Sequence, residues 1–232
     1  NNISVTAGAG NDSLVDTPTN GSQVDTGVGG EVVGNYATWN PLKTGDTTSF
    51  AQGNLFWRTT SNGPDRCVLA TIGMSSGKWY WECYMDEGTA TAIGVALDSV
   101  SLTTGGAGSN SYVYYSIGTY YNSGSSTGSP SSFTTGDLIS VAFDADTGKL
   151  WFAKNGTWQS SGDPGAGTNP AMTLTTGLTY FPLVGDSGGA SQSQVTVNFG
   201  QRPFAYPLSG FKALCTTNLP EPTIADGSTV MD

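Results

Sequence analysis

The 232-residue chain contains no histidine. A serine nucleophile of the triad type needs a histidine base to take its proton, so that class of hydrolase is excluded. Basic residues are scarce as well: 8 Lys and Arg stand against 18 Asp and Glu, for a formal net charge of −10. Phosphate backbones are neutralised by clustered cations, so no nucleic-acid partner is expected, and anionic membrane surfaces are disfavoured on the same ground. No run approaches the ~18 apolar residues of a membrane span and no signal-peptide pattern is present, so membrane insertion is not expected either. The 3 cysteines, Cys67, Cys83 and Cys215, are widely spaced and odd in number. They form neither a Cys-x-x-Cys site nor a disulfide framework, and free thiols are expected. Glutamate is confined to Glu31, Glu82, Glu87 and Glu221.

What is abundant is glycine, with 33 residues, together with serine and threonine. No window sustains helical apolar spacing, whereas period-two alternation recurs. Along 78–85, Trp79, Trp81, Cys83 and Met85 share one face while Lys78, Tyr80, Glu82 and Tyr84 share the other. Segments 92–97 and 138–144 repeat the pattern. Segment 149–154 lies between two turn signals, the second of them Asn155-Gly156, and 180–184 and 194–199 bring the strands to at least seven. Trp79, Trp81, Ile93, Val95, Val141, Phe143, Phe152, Val197 and Phe199 are the expected core. Many antiparallel strands, each with one apolar face, call for two sheets packed face to face, so the expected class is an all-β sandwich.

The weakly patterned, Gly-rich segment 1–35 is expected to be an extended arm or linker, with one short strand at 3–6. The body is expected over 36–200, and 201–232, interrupted by Pro203, Pro207, Pro220 and Pro222, as an irregular tail that packs or links to a following module. The chain does not begin with Met and breaks off at Asp232, which reads as a piece of something longer.

Several short motifs invite a functional reading. Gly185-Asp186-Ser187-Gly188-Gly189 matches the nucleophile string of trypsin-like proteases, but without histidine it reads as a Gly-rich turn between strands. Asp144-x-Asp146-x-Gly148 resembles the start of a calcium loop but lacks the later ligands, and reads as a β-turn; a Ca²⁺ held across several loops stays open. Glycoside hydrolysis needs two facing carboxylates, and Glu82 has no nameable partner. The Asn-x-Ser/Thr sequons at Asn2, Asn11, Asn20 and Asn155 are expected by chance in this composition. Tyr114, Tyr115, Tyr120 and Tyr121, set among Gly, Ser and Asn, resemble a paratope of rigid rings amid adaptable hydrogen-bonding groups. Trp158 and Trp57 offer aromatic faces of the kind that stack on sugars. These six are the candidate ligand-binding residues. The competing reading makes the alternate tyrosines strand residues with one face in the core.

Taken together, Ser76-Gly77-Lys78-Trp79-Tyr80-Trp81-Glu82 with Ile93-Gly94-Val95-Ala96, then 136–144 with 148–156, then Phe181-Pro182-Leu183-Val184 with 195–200, resemble the signature segments of SPRY domains in order and spacing. The flanking segments 12–20, 35–42, 199–204 and 210–220 are similar to those of bacteriophage virion proteins, often marine. The resemblance implies a curved, concanavalin-like sandwich whose loops at one end hold a protein or peptide partner without catalysis. It also implies a setting on a virion, with other virion subunits, neighbouring repeats of the same polypeptide, and a host-surface glycan or protein as partners. The alternative is a purely structural bead or decoration.

Overall fold

The computed structural model describes residues 34–60, 63, 65–188 and 192–220. The expected strand at 3–6, the sequons at Asn2, Asn11 and Asn20, Gly189 and residues 221–232 lie outside the described residues. In chain order the strands are β1 (Trp39–Thr44), β2 (Thr48–Ala51), β3 (Phe56–Thr59), β4 (Arg66–Ala70), β5 (Lys78–Glu87), β6 (Thr91–Leu97), β7 (Ser111–Tyr115) and β8 (Thr119–Asn122). They continue with β9 (Ser125–Thr127), β10 (Leu138–Asp144), β11 (Lys149–Lys154), β12 (Thr157–Trp158), β13 (Met172–Thr173), β14 (Tyr180–Asp186), β15 (Gln194–Asn198) and β16 (Lys212–Ala213).

Two antiparallel sheets result. The smaller runs β1-β4-β14-β6-β7-β8-β9 and the larger β12-β11-β10-β5-β15-β3-β2, with β13 beside β11 and β16 beside β5. Alternation decides which residues enter the space between them. Trp79, Trp81, Val141, Phe143, Phe152, Val197 and Phe199 of the large sheet and its margin meet Ile93, Val95, Val68 and Val184 of the small one, all of them buried. Pairing Val141 with Trp81 and Phe143 with Trp79 across β10 and β5 fixes the register of this layer.

Both outer faces are covered as well. On the small sheet, the 98–108 loop packs Val100 and Leu102 over Cys67, Leu69, Ala92 and Leu183. It comes so close that a Cβ on Gly185 would lie 2.4 Å from the Gly105 carbonyl oxygen, so the first glycine of the protease-like string serves backbone packing. On the large sheet, the segment after Gly200 packs Phe204, Phe211 and Ala213 over Tyr80, Ala142 and Trp151. The packed body therefore runs beyond 200, because strands with apolar residues on both faces need a cover on both sides. The only parallel pairing among the described strands, β16 with β5, belongs to this cover.

Glu82 shows how the cover is held. By spacing it shares the more polar face of its strand with Lys78, Tyr80 and Tyr84, yet it is only 3% exposed. Its Oε1 accepts the Tyr206 N–H at 2.8 Å and the Tyr80 hydroxyl at 3.0 Å, and its Oε2 accepts the Ala205 N–H at 2.9 Å. The best carboxylate candidate for hydrolysis is a staple on the tail. All three cysteines are buried free thiols. Burial pushes the Cys67 thiol up to about 12 and raises Cys83 further.

Candidate functional site at the loop end

Strand direction separates the molecule into two ends. At one end the chain enters and leaves the body side by side: Tyr36 bridges Cys215, the Thr216 N–H donates to the Asn35 carbonyl at 2.9 Å, and the Ala37 N–H donates to Leu214 at 2.9 Å. Gly77 and Asp146 close the same end through a 2.9 Å bond, and Asp144 Oδ1 accepts the N–H groups of Asp146 and Thr147. The calcium-like string is thus an Asx turn that joins β10 to β11. Among the described residues, no group of three or more Cys, Asp or Glu side chains is placed to hold a metal ion.

At the other end lie the loops 45–47, 88–90, 116–118, 128–137 and 155–156. Hydrogen bonds lace the last four together. Ser116 N–H donates to Thr91 at 2.8 Å and its Oγ donates to the Thr89 carbonyl at 2.9 Å. Phe133 N–H reaches the Ser116 carbonyl at 2.9 Å, and Lys154 Nζ reaches the Ser132 carbonyl at 2.8 Å. Ile117 stands at the tip of the β7–β8 turn, 61% exposed. Its neighbours are clamped: the Gly118 N–H donates to Tyr115 at 3.0 Å, and a Cβ on Gly118, at φ +85°, would meet the Pro130 carbonyl at 2.8 Å. An apolar side chain is therefore offered to solvent on a backbone already ordered, which lowers the entropic cost of contact with a partner.

The six aromatic candidates do not form one surface. Trp57, Tyr114 and Tyr120 are buried in the space between the sheets, and Tyr115 is 7% exposed on the outer face of the small sheet. Tyr114 and Tyr120 meet edge to face at 5.6 Å, and Tyr115 meets Tyr121 in the same way at 5.7 Å. Trp158 lies half-buried on the opposite sheet's outer face. Burial removes Trp57, Tyr114, Tyr115 and Tyr120 from any ligand-facing surface. The physical reason is area: each ring is worth roughly 4–6 kcal/mol inside, more than an exposed contact returns.

The tyrosine hydroxyls act on the loops instead. Tyr114 donates to the Ser131 carbonyl, Tyr115 pairs with Ser187 Oγ, and Tyr120 pairs with Ser160 Oγ at 3.2 Å. Burial pushes all three hydroxyls above the ordinary tyrosine range, so they stay protonated at neutral pH. Asp186, in the protease-like string, faces Arg66 across β14 and β4, and burial raises its carboxyl against the pull of Thr59, Arg66 and Ser193.

Asp137 anchors the 128–137 loop. It accepts the Thr134 N–H at 2.9 Å and the Asn155 amide at 2.7 Å, and it pairs with Lys154 at 3.1 Å. Burial pushes its carboxyl up, but these three partners outweigh burial and hold it below the usual range. A depressed carboxyl contributes stability above its unfolded-state pKa and loses it as pH falls through the folded one. The melting temperature should therefore fall on acidification below the ordinary aspartate range. Asp137→Asn should flatten that part of the profile and lower the melting temperature at pH 7; an unchanged profile would remove Asp137 from the anchoring role.

The SPRY domain family profile matches residues 78–202, more than half of the chain. The chain is 23% identical to the SPRY domain of human HERC1, with a TM-score of 0.58, covering 68% of this chain and 96% of that one. Stonustoxin, at 18% identity and a TM-score of 0.53, is matched over 71% of this chain and 27% of its own. The E3 ubiquitin-protein ligase RKP of Arabidopsis thaliana is 27% identical over 141 residues, covering 60% of this chain and 10% of the ligase. The chain belongs to the SPRY domain family, whose members mediate protein–protein interaction.

Proposed function

We propose that this SPRY domain is a non-catalytic recognition module that holds a protein partner at the loop end, with Ile117 at the centre of the contact. The observation that supports this most is the opposition of the two ends. The connections of the packed body sit together at Tyr36 and Cys215, so the laced loops project away from whatever carries the domain. A body whose connections leave side by side adds almost no length to a chain, which favours a pendant reader over a bead that spaces its neighbours. The resemblance of the flanks to bacteriophage virion proteins supports a setting on the particle surface, tethered to other virion subunits or repeats, with a host-surface protein as the target.

Binding of the labelled protein to host cells tests this. Protease treatment of the cells and Ile117→Asp should each reduce binding at least about tenfold, with the melting temperature of the variant unchanged. Undiminished binding in both cases would overturn the loop-end reading.

A further inference from the structure

Asn-Gly pairs occur in the chain at Asn20, Asn62 and Asn155, and Asn155-Gly156 is the pair that lies among the described residues. It forms the turn between β11 and β12, across which Lys154 faces Thr157. Both residues have positive φ, +49° and +78°, a conformation that so tight a hairpin demands and that Asn and Gly tolerate best. Gly156 is pinned further by Tyr206, whose N–H is held by Glu82 and whose ring lies 2.6 Å from where a Cβ on Gly156 would sit. The turn therefore retains a chemically labile pair that other residues would strain.

The lability lies in an intramolecular step. The Gly156 backbone nitrogen attacks Asn155 Cγ and closes a succinimide ring, and Nδ2 leaves as ammonia with the proton lost from the Gly156 N–H. Water then opens the imide at either carbonyl, leaving aspartate or isoaspartate at 155. The turn is exposed, so water has access. What the fold restrains is the attacked group. Asn155 Nδ2 donates to Asp137 Oδ1 at 2.7 Å, and Asn155 Oδ1 accepts the Leu138 N–H at 2.8 Å. Swinging Cγ onto the Gly156 nitrogen breaks both bonds, so the reaction waits on opening of the 128–137 loop. Asp137 also secures the closed form of that loop through Thr134 and Lys154. The product does not restore this closure: a carboxylate at 155 has no N–H to offer Asp137 and sets like charges side by side.

We propose that Asn155 is a site of spontaneous, irreversible deamidation gated by the 128–137 loop: reaction is blocked while Asp137 and Leu138 hold the side-chain amide, and the acidic product then leaves the loop unlatched. The chemistry and its gate stand on these contacts alone. Only the consequence, a loop end that loses its partner as the chain ages, rests on the loop-end reading.

Peptide mapping by mass spectrometry of the full chain, incubated at mildly alkaline pH, measures the rate at 155, and a synthetic peptide of residues 153–158 supplies the unrestrained rate. The folded chain should react at least about tenfold more slowly than the peptide, and Asp137→Ala should raise its rate at least about tenfold, the scale of one lost hydrogen bond to a charged group. Val184→Ala, buried in the small sheet, is the control for general destabilisation. If Asp137→Ala does not fold, dilute urea on the unaltered chain decides. Local opening gives a rate that stays constant below the unfolding transition, whereas global unfolding gives one that climbs with each increment. A folded chain as fast as the peptide overturns the proposal. So do an Asp137→Ala rate no higher than the parent's, an equal acceleration by Val184→Ala, or a rate that climbs in dilute urea. Asn155→Asp should speed hydrogen exchange at the Thr134 and Leu138 amides, and unchanged exchange overturns the unlatching. Accelerated exchange with undiminished binding to host cells would overturn the loop-end reading and leave the modification standing.

Discussion

Trp81→Ala is expected to unfold the domain and not merely to weaken binding. Trp81 is fully buried, pairs with Val141 across β10 and β5, and shares the central layer with Trp79, Phe143 and Phe152. Removing a buried tryptophan costs about 3–5 kcal/mol once the cavity is counted. Typical domains have only about 5–15 kcal/mol in total. Denaturant titration followed by circular dichroism should show the midpoint collapse or the folded baseline vanish. A variant that stays folded with near-native stability and fails only to bind would place Trp81 in a ligand surface and contradict the packing described above.

A second large effect is expected from the tail. A chain ended after Gly200 loses Phe204, Phe211 and Leu214, all buried, and uncovers Tyr80 and Trp151. At roughly 1.5–3 kcal/mol for each fully buried large side chain, the loss is at least about 5 kcal/mol. It also takes away both main-chain N–H donors to Glu82 and leaves a carboxylate on a newly bared apolar face. Such a chain should aggregate or bind hydrophobic dye at neutral pH. A chain ended after Pro220 keeps every one of these contacts and should melt cooperatively. Equal melting temperatures for the two would show that the cover contributes nothing.

The two predictions differ in how far the sequence foretold them. The buried layer was legible because alternation is a local property: Trp79, Trp81, Cys83 and Met85 fall on one face by spacing alone. The cover was not. Its signal was present in Trp79-Tyr80-Trp81 and Leu150-Trp151-Phe152-Ala153, where both faces are apolar, but which distant segment answers that demand is a matter of tertiary contact. Phe204 meeting Tyr80 edge to face at 4.8 Å, across more than a hundred residues, has no local trace.

The same limit explains the aromatic candidates. Tyrosines among glycine and serine look alike whether their rings point into a core or out to a ligand, because the choice depends on which strands pair with them. Here Tyr114 points between the two sheets against Tyr120, Phe133 and Phe152, so its ring is enclosed and its hydroxyl only reaches the rim. Trp158 kept an accessible edge because β12 is a two-residue strand at the margin of its sheet. Tyr206 gave no signal at all; its role comes from Gly156 and Glu82, each far away in sequence.

The central claim is that one end of the sandwich meets the partner while the other is the tether. Photocrosslinking tests it most directly, with a photoreactive side chain in place of Ile117 at the loop end or of Thr217 beside the chain connections, and the protein bound to host cells. Crosslinks to a host-surface protein from position 117 and none from position 217 are the predicted result. Crosslinks from 217 alone would contradict the claim and turn the molecule around.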